Sequence, residues 1–258
     1  MGSLEYAHAR MSARHGARPD DLAWRRIEPL RELAPMLDAA RATALRPWMT
    51  GIGPSTAPHA IEAILRQRWR KLVDEVGSWM PEAWRPAVHW CAVLADLPAV
   101  AHLARVRAPY PWMHDDPVLR ELIAGGSDPA AARGPDGPLA PLLLDADHVS
   151  HAWQAEWRRR LPECSAETGV LVDAIAHAIT SHVAALRDPA IVDATPLLRA
   201  LEARLALLFR RATLDPAAAF AFLGLVALDL ARLRGELARR ASFPGTTFAG
   251  LALAGRPA

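Results

Sequence analysis

The sequence predicts an all-α protein, and three features of its 258 residues carry the prediction. Ala, Leu and Arg, all good helix formers, dominate the chain. Alternating β-branched or aromatic runs, the mark of half-buried strands, do not occur. Prolines stand mostly where a helix starts or kinks. Candidate helices of the first half are 3–15, 20–46 with kinks near Pro29 and Pro35, 58–77, 81–96, 98–107 and 116–124. Pro58, Pro81 and Pro98 stand at three of those starts. The second half gives 145–161, with Asp145 as its capping acceptor, then 165–187, 195–212 and 215–241.

Between the two sets lies Gly125-Gly126-Ser127-Asp128-Pro129 through Gly134-Pro135-Asp136-Gly137-Pro138, the clearest linker in the chain. The expected organisation is therefore a helical lobe over 1–124, a linker over 125–141, a second lobe over 142–244 and a frayed tail over 245–258. The two lobes look related. A constant offset of 133 residues lays Trp24-Arg25-Arg26 on Trp157-Arg158-Arg159 and Ile64-Leu65-Arg66 on Leu197-Leu198-Arg199. The same offset lays Leu72 on Leu205, Val76 on Phe209, Val93 on Val226, and Asp96-Leu97 on Asp229-Leu230. Two joined, related helical lobes are what such a repeat implies.

Composition narrows the function. At 28.0 kDa, 52% hydrophobic and 22% charged, the chain is long and apolar enough to bury a real core. Its net charge of +2 argues against a nucleic-acid protein held by phosphate neutralisation. Lys71 is the one lysine among 30 basic residues, a bias that fits a GC-rich genome. Cys91 and Cys164 are 73 residues apart and form neither a disulfide framework nor a zinc site, so buried thiols in a reducing cytoplasm are expected. No basic start followed by an apolar run marks a signal peptide. The best membrane candidate, Pro216–Leu228, has 13 uncharged residues and falls short of the ~20 that span a bilayer. It reads as a buried core helix.

Residues with catalytic chemistry are few. Asp145-Ala146-Asp147-His148-Val149-Ser150-His151 puts His148 and His151 on one helix face, a spacing open to a metal. No HExxH or ExxH accompanies it, and a capped amphipathic helix accounts for the same residues. His177 and His182 do not share a face, and neighbours His89 and Cys91 point in different directions. Neither GxxxxGK[ST] nor GxGxxG occurs, so no usual nucleotide loop is present. Trp69, within Arg66-Gln67-Arg68-Trp69-Arg70-Lys71, is expected to turn inward, with Glu62, Asp74 and Glu75 balancing the basic face. The lone carboxylates Asp96 and Asp229 sit in apolar helices and need partners. Arg105 and Arg107 follow the first, and Arg232 and Arg234 the second, with Arg232 at i+3. Each acid is expected to anchor a helix junction in its lobe.

Several segments together resemble the C-type socket family of archaeal and bacterial A/V-type rotary ATPases, whose eukaryotic V-ATPase members are the d-type. Tyr6-Ala7-His8-Ala9-Arg10-Met11-Ser12-Ala13-Arg14 is similar to the family's N-terminal Tyr, two residues, Ala-Arg pattern. Leu37-Asp38-Ala39-Ala40-Arg41-Ala42-Thr43-Ala44-Leu45 resembles its Leu-rich helix leading to a threonine. Ala95-Asp96-Leu97-Pro98-Ala99-Val100-Ala101-His102-Leu103 resembles its acidic closure, and Asp229-Leu230-Ala231-Arg232-Leu233-Arg234 its C-terminal acid and Asn-Leu-Arg, with Arg232 in place of Asn. The family packs three lobes where two are expected here, and Val226-Ala227 stands where it has Lys-Glu. The resemblance implies a non-catalytic, cytoplasmic socket, peripheral to the membrane, that joins the central stalk to the membrane rotor ring and serves proton or sodium transport. It implies no cofactor, metal, nucleic acid or direct membrane insertion. It points to Arg10, Arg14, Arg232 and Arg234 as partner contacts.

Overall fold

The computed structural model describes residues 3–106, 108–124, 139, 142, 148–188, 190–191 and 193–242. Among them there are twelve α-helices and no strand. Helix α1 (Leu4–Gly16) begins where the Ser3 hydroxyl accepts the Tyr6 N–H at 3.2 Å. The expected helix over 20–46 is three pieces: α2 (Asp21–Ile27), α3 (Leu33–Arg41) and α4 (Arg46–Met49). Asp20 caps α2 through the Ala23 N–H at 2.8 Å. Pro29, which lacks an N–H, ends it, whereas Pro35 and Pro47 fall in first turns and are tolerated. Gly51, at φ 79°, turns the chain after α4.

Helix α5 (Pro58–Trp79) is close to the expected 58–77. The stretch expected as a helix over 81–96 is instead a 3₁₀ turn at Glu82–Trp84, helix α6 (Arg85–Trp90) and a second 3₁₀ turn at Cys91–Ala95. The buried Trp69 indole donates to the Cys91 carbonyl at 2.9 Å, taking an acceptor that an α-helix would offer to residue 95. Helix α7 (Leu97–Val106) leaves this stretch at 65°. Then come a 3₁₀ turn at Pro111–His114, α8 (Pro117–Ala124), α9 (Val149–Arg159), α10 (Ala166–Leu186), α11 (Thr195–Arg211) and α12 (Ala218–Ser242). Ser165 caps α10. Its neighbour in the cap, Thr168, donates to Asp215 at 2.7 Å.

Chain contacts divide the protein into two compact units, Met1–Ala13 with Arg66–Leu225, and Arg14–Leu65 with Val226–Ala258. This division differs from the expected lobes of 1–124 and 142–244, because α1, α5 and α12 each contribute residues to both units. The expected linker over 125–141, apart from buried Leu139, and the tail over 245–258 lie outside the described residues.

The first unit is built on the start of α12, where Ala218–Leu223, Leu225 and Val226 are buried together with the preceding Ala217, although Val226 itself belongs to the second unit. Pro216–Leu228 is thus largely core. Gly224 lets α12 approach α11 closely, since a Cβ there would meet Leu205 Cδ1 at 3.0 Å. Phe220 meets Trp157 edge-on, with ring centroids 5.0 Å apart. Trp90 and Trp153 each donate an indole N–H to the other's carbonyl, at 3.0 and 3.3 Å. In the second unit Trp24, Ile27, Met36, Leu37, Ala40, Leu45 and Met49 form the apolar centre.

Candidate functional site

The densest buried chemistry is a charged quartet in the first unit. Arg66 and Arg70 come from α5, one turn apart on the same face. Asp96 comes from the bend before α7, and Asp116 from the start of α8. Arg70 grips Asp96 with two bonds, of 2.5 and 3.2 Å, and reaches both Asp116 oxygens at 3.0 and 3.1 Å. Asp116 also caps α8 through the Val118 and Leu119 N–H groups at 3.0 and 3.3 Å. Arg66 lies 3.4 Å from Asp116 and packs its guanidinium 4.4 Å from the Trp112 ring centre. Two cations and two anions leave the quartet neutral.

Burial pushes the Asp96 carboxyl above the ordinary range, against the pull of Arg70. Burial also works to raise Asp116, but the Arg70 bonds and charge and the Leu119 N–H outweigh it and hold Asp116 low. Burial lowers Arg66 despite its two acids, whereas Arg70 is raised because its bonds to both acids win over burial. Arg70 and the two acids satisfy one another, whereas Arg66 keeps buried Nε and Nη2 without a hydrogen bond. The four side chains form a brace that fixes α5, the bend before α7 and α8.

The second unit carries a set of arginine contacts along α12. Asp229 is buried, and Arg18 holds its two oxygens at 2.7 and 3.0 Å. The expected partners therefore need correction: Arg70 grips Asp96, where Arg105 and Arg107 were expected, Arg107 lying outside the described residues, and Arg18, not Arg232, grips Asp229. Arg232 instead bonds Glu28 and stacks 4.4 Å over Trp24, and Arg234 bonds Glu62. Sequence proximity misled because Asp229 is buried and meets Arg18, 211 residues away in the sequence.

Arg10 lies 3.5 Å from Glu75, with Trp79 beneath its guanidinium at 5.1 Å, and Arg14 closes α1 at the negative end of its dipole. Three of the four arginines named as partner contacts thus hold acids of the same unit. Arg240 was missed by sequence reasoning. Its side chain is fully buried and donates to the Leu30, Ile27 and Glu28 carbonyls at 2.6, 3.0 and 3.1 Å, closing the C-terminus of α2. A cleft of about 460 Å³ opens beside it, between the starts of α3 and α5, with Glu32, Ser55 and Thr56 in its wall. Arg240 brings no spare donor to it, because its nitrogens are committed to carbonyls and to Glu236.

Among the described residues the histidine and cysteine candidates form no group of three possible ligands. His148 and His151 stack with ring centres 5.6 Å apart at the start of α9, which begins at Val149 rather than 145. Asp145 and Asp147 lie outside the described residues. Among the described residues no three His, Cys, Asp or Glu side chains group to hold a metal. His89 sits over Gly77, 3.5 Å from Asp74, while Cys91 turns to the Ala87 carbonyl at 3.7 Å. Burial pushes the Cys91 thiol up to about 12, which leaves it inert. Cys164 is exposed, contrary to the expectation of two buried thiols, because it lies in the irregular stretch just before α10. Trp69 is buried in the core, as its neighbours implied.

One surface stands apart. Helix α10 is long and apolar enough to cross a membrane, yet little of it is buried. Counting only unbroken uncharged runs hid it, because Asp173 interrupts its apolar sequence. No family model, no curated protein and no solved structure matches this chain.

Proposed function

We propose that the chain is a non-catalytic helical socket of a V/A-type rotary ATPase, a shortened relative of the C-type (eukaryotic d-type) sockets. In this role it joins the central stalk to the membrane rotor ring for proton or sodium transport, on the cytoplasmic side and through protein contacts alone. One observation carries the reading: the buried charged side chains Asp96, Asp116, Asp229 and Arg240 each bond to another segment of the chain. Arg66, Arg70, Asp96 and Asp116 tie α5 and α8 to the bend before α7, and Arg18, Arg232, Arg234 and Arg240 tie α12 within its unit. A torque coupler needs such stiffness, whereas a catalyst needs a group left free to exchange protons.

The sequence resemblance supplies the partners. Two related lobes, offset by 133 residues, belong to the same proposal. In support, Trp24 and Trp157 are both buried in short helices, and Asp96 and Asp229 are both buried in arginine pairs. The backbones differ at the acids: Asp96 closes a 3₁₀ turn, whereas Asp229 lies inside α12. Arg10, Arg14, Arg232 and Arg234 remain the proposed contacts, because a half-exposed arginine such as Arg10 or Arg232 can exchange an internal acid for a partner's.

A second reading, a helical adaptor in another assembly, is favoured by the exposed apolar face of α10. Affinity capture of the tagged chain from detergent-solubilised membranes separates the two. Recovery of ring and stalk proteins is the expected result. Recovery of an unrelated assembly supports the adaptor, and turnover of a small substrate by the metal-loaded chain overturns both.

A further inference from the structure

We draw no further inference here: the strongest candidate, the cleft between the starts of α3 and α5, carries nothing, because the buried Arg240 in its wall is committed to the Leu30, Ile27 and Glu28 carbonyls and to Glu236, and nothing else in the structure shows what would bind there.

Discussion

Asp96 and Asp116 share one arginine but titrate in opposite directions, so neutralising them has unequal consequences. Asp116 is held below the ordinary carboxylate value of about 3.9. Its contribution is complete above that pH and is lost as pH falls through the lower folded value. Asp96 is raised, so its contribution has the other sign and turns against the fold as pH rises past about 3.9 through its folded value. Asp116→Asn is therefore expected to destabilise more at pH 7 than Asp96→Asn, and to flatten the loss of stability below about pH 4. Urea unfolding at pH 7 and pH 3 measures both, and equal midpoints for the two variants would contradict the asymmetry. Asp229→Ala takes from Arg18 a carboxylate buried with it and is expected to cost about 3–5 kcal/mol. A parent-like melting curve would remove the acid's bracing role.

The helices were readable because helix formation is local. Pro58 begins α5, and α10 and α11 lie within a residue of 165–187 and 195–212 at each end. Two stretches were not readable for a shared reason: a distant side chain or a missing N–H altered the backbone. Trp69 takes the Cys91 carbonyl and tightens 91–95 into a 3₁₀ turn, and Pro29 divides the helix expected over 20–46. Trp69→Phe removes that indole bond while keeping an aromatic ring. Loss of the bond is expected to cost about 1 kcal/mol in thermal or urea unfolding, with part of the ring's packing lost besides. Contact between α11 and α12 depends on Gly224, where the Leu205 side chain fills the space beside the bare backbone. Gly224→Leu would overpack this junction and is expected to cost roughly 1–3 kcal/mol, read as a lower urea midpoint with the slope unchanged.

Over the whole molecule, burial is uneven: Ala217–Val226 is almost entirely core, while 177–200 contains no buried described residue. Amides of 177–200 are expected to exchange first and those of α12 near Phe222 last. Uniform exchange would mean that this stretch and the core open together. The all-α class, most helix bounds and the burial of Trp69 and Pro216–Leu228 were settled by the sequence alone. Each depends on propensity and periodicity within a few residues, which the order of residues displays directly. Tertiary structure decided which arginine holds which acid. Arg70 reaches Asp96 across 26 residues and Arg18 reaches Asp229 across 211, and no local spacing encodes such a meeting. It also decided that α10, though apolar, is little buried. Periodicity marks a face as apolar, but only packing shows whether anything lies against it.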